Sequence, residues 1–294
     1  MSKIHILVNT ASVGKEPILG YLEKYFSKSH FSWDLTVVHS APEAYSATLK
    51  YMHACDYLAA YGGDGTIMQV SRALYQSSTP LIILPGGTAN IMAKELDIPL
   101  DIEKSIQLIA QEDFEIIEID MGLVNGTPFL IRLNLGIMAD MIIDASPEMK
   151  QNWGQWAYGI SAFQDLHHPL QTYSLVLDGH SFSLEAVALT ITNAGNLGFK
   201  GFSFLPGIKM NDGLLDIIAL KQANFDSIMR LTGSTLLQTD SSVLRHWKAR
   251  EITLEMNSVF PFICDDIPQK AERLLIKVSP KSLSVAVPKI NYRW

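Results

Sequence analysis

The feature that most constrains this chain is a change of rhythm near residue 120. Before it, short apolar runs alternate with stretches of helical spacing. Ile4 to Val8 reads as a buried strand, and Glu16 to Ser27 as a helix with Ile18, Leu19, Leu22, Tyr25 and Phe26 on one face. Trp33 to Val38, Tyr57 to Tyr61 and Leu81 to Leu84 follow as strands, separated or followed by helical stretches at Ala44 to Met52, Thr66 to Tyr75 and about Ala89 to Leu96. Strand and helix in alternation predict a parallel sheet covered on both faces. After residue 120 the strands come without helices between most of them: Glu115 to Val124, Thr127 to Leu135, Thr172 to Leu177, Ser181 to Asn193, Leu214 to Leu220, Glu251 to Met256 and Leu274 to Val278. Asn125-Gly126 and Asp178-Gly179 mark hairpin turns. The expectation is an α/β domain over residues 1–120 and a mostly antiparallel, β-sandwich-like domain over 121–279. Helical insertions are expected at Met149 to Leu166 and Phe225 to Leu237, and residues 280–294 are expected to pack back on the first domain. No flexible linker separates the two, so they are expected to pack around a cleft.

Composition excludes several classes. A formal charge of -7, from 23 basic and 30 acidic residues, argues against nucleic-acid binding, which needs clustered Lys and Arg. The longest basic grouping, Arg245 to Arg250, is too short to alter that. The two cysteines, Cys55 and Cys264, form no CxxC pair, so neither a disulfide framework nor a zinc site is expected. The apolar run at Ile4 to Val8 is shorter than a signal-peptide core, and no segment reaches the roughly 18 apolar residues of a membrane span. A cytoplasmic location is expected, with any membrane contact peripheral. Trp153, Trp156, Tyr158 and Phe163 are the residues that would make it, if they do not pack a helix instead.

In an open parallel sheet ligands bind at the carboxyl ends of the strands. Three loops leave those ends rich in polar residues and glycine: Asn9 to Lys15, Gly62 to Thr66 and Gly86 to Asn90. Gly62-Gly63-Asp64-Gly65-Thr66 follows a strand and opens a helix, where glycines let a phosphate approach backbone N–H groups. Its spacing matches neither the Walker A loop nor the Gly-x-Gly-x-x-Gly fingerprint. Asp64 in such a loop should repel a phosphate, unless a Mg²⁺ lies between carboxylate and phosphate oxygens. Pro85-Gly86-Gly87-Thr88-Ala89-Asn90 repeats the arrangement at the same sheet edge, and two such loops point to a nucleotide.

Strand, GGDGT, helix, strand, PGGTAN, helix resembles the diacylglycerol kinase catalytic-domain family, which includes the YegS-like lipid kinases. "LVNTASVGK" at residues 7–15 and "LPGIKMNDGLLDI" at 205–217 extend the likeness into both domains. NAD kinases share the GGDGT loop and are the nearest alternative, with a soluble acceptor; a catalytically impaired nucleotide-binding protein is a third. The resemblance implies ATP-dependent phosphorylation of the hydroxyl of diacylglycerol or a related lipid. It places Asn9, Thr10, Ala11, Ser12, Val13 and Ser40 along the ATP, Gly62, Gly63, Asp64, Gly65, Thr66, Ile67 and Met68 at its phosphates, and Thr88 completing the site. It implies Mg²⁺ with the ATP at Asp64, and a structural Mg²⁺ held by the carbonyls of Lys209 and Leu214 and the side chain of Asp212. The sequence is compatible with an oligomer. It departs from the family at Thr10, where a Pro is usual, at Ile91, often Asp, and at "CDDIP", where the family reads Asp-Gly-Glu. Ile267 then stands in place of the Glu general base, and Asp265 and Asp266 are the carboxylates left to act in catalysis.

Overall fold

The parallel sheet forms because its strands are apolar on both faces. In the computed structural model, which describes residues 1–11, 17–136, 139, 170–196, 207–221 and 244–289, the chain divides into two compact units. The first is Met1–Ile119 with Lys281–Trp294, the second Asp120–Pro280.

The first unit runs β1 (Ser2–Asn9), α1 (Ile18–Phe26), β2 (Phe31–Val38), α2 (Ala41–Tyr51), β3 (Tyr57–Gly62), α3 (Asp64–Ala73), β4 (Leu81–Pro85), α4 (Ile91–Glu95) and α5 (Ile102–Ala110). Its strands lie in the order β4-β3-β1-β2, all parallel. Every residue of β4 is buried, as are five of the six in β3, which is what a sheet covered on both faces requires. One face packs α1 and α5 through Ile18, Leu22, Phe26, Ile102, Ile106 and Ile109 onto Ile4, Ile6, Ala59 and Ile82. On the other face the ring of Tyr51, the last residue of α2, stacks on His5 at 3.9 Å. The helix α5 has no counterpart in the expected elements. Its signal is nonetheless in the sequence: Asp101 caps it by accepting from the Lys104 N–H at 3.0 Å, and Ile102, Ile106 and Ile109 recur at helical spacing.

The chain leaves the first unit along β5 (Phe114–Val124) and continues as β6 (Thr127–Phe129), β7 (Arg132–Gly136), β8 (Gln171–Leu177), β9 (His180–Ala186), β10 (Ala188–Thr192), β11 (Leu215–Leu220), β12 (Leu244–Ala249) and β13 (Glu251–Cys264). It returns along β14 (Ile267–Pro288), whose Val285 pairs with Leu81 of β4 in parallel. The second unit is antiparallel in the order β12-β11-β10-β7-β13-β14, with β8 also pairing β13 and β9 pairing β8. A register shift between Glu255 and Phe260 divides β13: its first part pairs β8, its last part β7. Such an irregularity turns a strand between two partners, and the inward residues of both join one core that includes Leu135, Tyr173, Leu189, Ile217, Phe262 and Leu274. The expected helices at 149–166 and 225–237, with Trp153, Trp156, Tyr158 and Phe163, lie outside the described residues. Among the described residues no helix is long and apolar enough to cross a membrane. Cys264 is buried, Cys55 half-buried, and the two form no disulfide.

Two expected strands are each two. Val187 interrupts Ser181 to Asn193 by donating its N–H to Leu220 O at 2.8 Å. Thr127 to Leu135 breaks at Leu130 and Ile131 because their N–H groups, with that of Arg132, go to a side chain. The Asp265 carboxylate takes all three, at 2.5, 2.9 and 3.1 Å. Asp265 and Asp266 have φ of 46° and 64°, left-handed at both centres of a two-residue turn that joins Cys264 to Ile267, as in a type I′ hairpin.

This corrects the reading of Asp265 as a catalytic carboxylate. It is 5% exposed and its oxygens hold three backbone donors, so it presents no face to an acceptor hydroxyl. Burial pushes its carboxyl up to about 6, against the pull of the three N–H groups. Folding therefore takes up a proton between the ordinary value near 3.8 and about 6; the stability this group contributes is full below pH 4 and is lost as pH rises through 6. Asp265→Asn leaves N–H groups unsatisfied and is expected to lose about 1–3 kcal/mol in urea unfolding. It should also flatten the change of the urea midpoint between about pH 4 and 6.5; a variant with the wild-type midpoint and profile would contradict the anchoring role.

Candidate functional site

The sheet order places β1 between β2 and β3, and the chain leaves β1 toward the face of α1 but leaves β3 toward the face of α2, against which α3 packs. This is the switch point at which an open α/β sheet opens a crevice beyond its carboxyl ends. The loops after β1, β3 and β4 meet there.

The two glycine loops are laced to each other. The Gly86 N–H donates to Gly62 O at 2.9 Å, continuing the ladder past Gly62 and Pro85. Gly87 lies so close to the first loop that a Cβ on it would come 2.6 Å from Gly63 Cα, so only glycine fits. Asn90 closes the second loop on itself from a left-handed conformation, φ 47°: its Oδ1 accepts from the Gly87 N–H at 3.0 Å and its Nδ2 donates to Gly87 O at 2.8 Å. Asp64 then joins loop to loop, its Oδ1 accepting from the Ile91 N–H at 2.5 Å. Asp64 is the first residue of α3, where the helix dipole favours an acid, and Ile91 is the first of α4, whose N–H groups need acceptors. The acid thus has a place in the fold as well as any place it takes beside a metal.

Asn9 ties β1 to the same point. It is 2% exposed, donates from Nδ2 to Thr66 Oγ1 at 2.8 Å and accepts at Oδ1 from the Ala11 N–H at 3.1 Å. Thr66 in turn fills the space beside Gly62, where a Cβ would meet its side chain at 2.6 Å. Thr10 is fastened to the end of β2 by its N–H to Val38 O at 3.1 Å and by its hydroxyl to His39 Nδ1 at 3.0 Å. Ser40 caps α2, accepting from the Glu43 N–H at 3.3 Å, while Glu43 accepts from the His39 N–H at 2.6 Å. Ile67 and Met68 are each 3% exposed, so their side chains serve the core and only their backbone faces the turn. Ser12 and Val13 lie outside the described residues.

Gly65 and Thr88 are exposed on the rim. A Cβ on Gly65 would meet nothing within 4 Å, and no side chain caps the start of α3 at Gly63. Protein packing therefore does not demand a glycine at 65, although glycine in a helix is worse than alanine by roughly 0.5–1 kcal/mol. An open glycine in the first turn of a ten-residue helix that no side chain caps is a geometry that can take an anion. One carboxylate beside it suits Mg²⁺, which is commonly held by one or two carboxylates together with substrate phosphates.

The Asp212 carboxylate, the one charged ligand expected for a second Mg²⁺, is engaged by protein groups. Asp212 Oδ1 accepts from the Leu214 N–H at 3.1 Å and its Oδ2 takes the Lys248 ammonium at 2.7 Å. Lys209 is exposed. Asp266 is exposed at the tip of the β13–β14 turn, and Ile267, half-buried, begins β14. Among the described residues, no three His, Cys, Asp or Glu side chains gather as a metal site.

Comparison with known proteins identifies the family of both parts of the chain. Residues 3–124 match the family model of the diacylglycerol kinase catalytic domain, and residues 136–287 that of the YegS C-terminal NAD kinase β-sandwich-like domain. The diacylglycerol kinase of Bacillus subtilis (strain 168) is 29% identical over 245 residues, 80% of this chain and 79% of that protein. A Pseudomonas aeruginosa (strain UCBPP-PA14) protein named "Probable lipid kinase YegS-like" is 31% identical over 239 residues, 79% of this chain and 76% of that one. An uncharacterised Synechocystis protein is 29% identical, with the chain spanning 55% of its length. The crystal structure of a diacylglycerol kinase from Bacillus anthracis str. Sterne shares the fold, with a TM-score of 0.74 at 21% identity over 97% of this chain and 96% of that one.

Two glycines separate ligand from packing. Gly65→Ala should leave thermal stability unchanged or slightly raised and weaken ATP binding by tenfold or more in calorimetric titration. Gly87→Ala should lower the melting temperature whether or not ATP is present. Equal effects of the two on both readouts would contradict the assignment.

Proposed function

Because the chain belongs to the diacylglycerol kinase catalytic-domain family, we propose that it is an ATP-dependent lipid kinase, transferring the γ-phosphoryl group of ATP to the hydroxyl of diacylglycerol or a related lipid. The observation that carries this is the pair of glycine loops laced through Asp64, with the open first turn of α3 beside them. Backbone N–H groups at the start of α3 and at Thr88 to Asn90 of the second loop bind phosphate oxygens, those of Gly86 and Gly87 being held by Gly62 O and Asn90 Oδ1, and Thr88 adds a hydroxyl at the rim. Asn9 and Thr66 hold the first turn of α3 in place rather than reaching for the nucleotide. Asp64 is the residue that would hold Mg²⁺, which supplies neutralising charge to the phosphates when bound.

Phosphoryl transfer passes through a loose transition state, so orientation and charge stabilisation carry most of the acceleration, and a positioned base adds roughly 10²–10⁴-fold. With isoleucine at 267 and Asp265 committed to the backbone, Asp266 is the carboxylate of this turn that serves the acceptor hydroxyl. The kinase reading rests on family membership and the loop geometry. An NAD-kinase-like activity is the second reading, favoured only by the GGDGT loop that such enzymes share.

The test is incubation with labelled ATP and Mg²⁺ in the presence of diacylglycerol vesicles, a mixed lipid extract or NAD. Label is expected in a lipid; label in NAD, or none in any acceptor despite ATP binding, would overturn the proposal. Asp64→Asn should lower Mg²⁺-dependent turnover at least tenfold, about 1.4 kcal/mol. Asp266→Ala should lower it further than Asp266→Glu, and Ile267→Glu should raise it. No response to any change at 266 or 267 would show that the turn takes no part in chemistry.

A further inference from the structure

The edge strand β12 carries basic residues onto buried acid. Register sets Lys248 directly opposite Asp216 of β11, and His246, two residues earlier, lies on the same face. Asp216 is 0% exposed. Its Oδ1 is 2.5 Å from His246 Nε2, while its Oδ2 has no hydrogen-bond partner among the described residues and is 3.8 Å from the Lys248 ammonium. The same ammonium is 2.7 Å from Asp212 Oδ2. Two carboxylates from different segments thus converge on one lysine.

The turn that contains Asp212 is otherwise held by protein groups. The Leu214 N–H donates to Asp212 Oδ1, and the Gly213 N–H donates to Asp120 Oδ2 at 2.7 Å. A buried carboxylate oxygen without a hydrogen bond is unfavourable, so Asp216 Oδ2 is stabilised by a positive charge nearby. Lys248 supplies it with its side chain about a third exposed, at 31%, and the neighbouring carboxylates hold its ammonium charged by raising its pKa against the effect of burial.

We propose that Lys248 is a built-in cation: its ammonium, bridging Asp212 and buried Asp216, does the charge neutralisation that the family resemblance assigns to a divalent ion at this turn, so that the second unit holds its fold without Mg²⁺. A divalent ion on Asp212 would have to displace the ammonium or sit against it, and either leaves like charges crowded or Asp216 uncompensated.

The test uses the full chain without nucleotide, unfolded thermally in EDTA and in millimolar MgCl₂. Any gain that Mg²⁺ gives the wild type is expected to be the same in Asp212→Asn, because it does not arise at Asp212. Lys248→Met should melt several degrees lower in EDTA and should gain a Mg²⁺-dependent stabilisation that Asp212→Asn removes, while Lys248→Arg should stay independent of the ion. A wild-type gain that Asp212→Asn abolishes would overturn the proposal, as would a Lys248→Met variant that melts with the wild type or gains nothing from Mg²⁺. If Lys248→Met does not fold, the comparison of wild type with Asp212→Asn decides alone.

Discussion

The hydrogen bond from the Ile91 N–H to the Asp64 carboxylate is the contact on which the glycine-loop end of the parallel sheet depends. It connects the start of one helix to the start of another across two loops too rich in glycine to hold their own shape. Its acceptor is charged and its donor is one that a helix terminus leaves open, so it is stronger than an ordinary amide pair. Around it the geometry has little slack: Gly87 cannot bear a Cβ against Gly63, Asn90 takes a left-handed conformation to clasp Gly87, and buried Asn9 fixes Thr66. A rigid frame of this kind is what a phosphate site needs, because donors already aimed lose little entropy when the ligand arrives.

Carboxylates do similar work in the second unit. Asp265 collects three backbone N–H groups that no strand uses, and in doing so ends one strand and starts the next. Asp216 gathers His246 and Lys248 from the neighbouring edge strand. Acids in this chain therefore act first as acceptors for its own backbone and basic groups. That matters for function, since a buried carboxylate committed to three N–H groups presents no oxygen to a substrate hydroxyl, whereas Asp266 one residue on is exposed.

Much of the architecture was legible because it rests on local signals. Alternating apolar runs and helical spacing located eight of the nine described elements from β1 to α5, and Asn125-Gly126 and Asp178-Gly179 form turns with the left-handed φ their residue types favour. The helix α5, absent from the expected elements, carries a clear cap and helical spacing of its own. Other features depend on contacts across long stretches of chain, which no local pattern records. Asp265 meets Leu130 across 135 residues, and this is why one expected strand is two. Arg245 to Arg250 looked like a stray basic grouping, and only the pairing of β12 with β11 reveals what His246 and Lys248 face. At the candidate site the glycines and Asp64 were found by motif, but the divide between those that serve packing and those open to a ligand was not. Gly87 and Gly65 look alike in sequence, and only the space around each tells them apart.

The central claim is that the laced loops after β3 and β4 are where the nucleotide phosphates bind. Amide hydrogen exchange of the full chain, with and without a non-hydrolysable ATP analogue and Mg²⁺, tests it most directly. The account predicts slower exchange concentrated at residues 62–68 and 86–91. Tight analogue binding that leaves both loops unprotected, with the slowing confined to other segments, would contradict it.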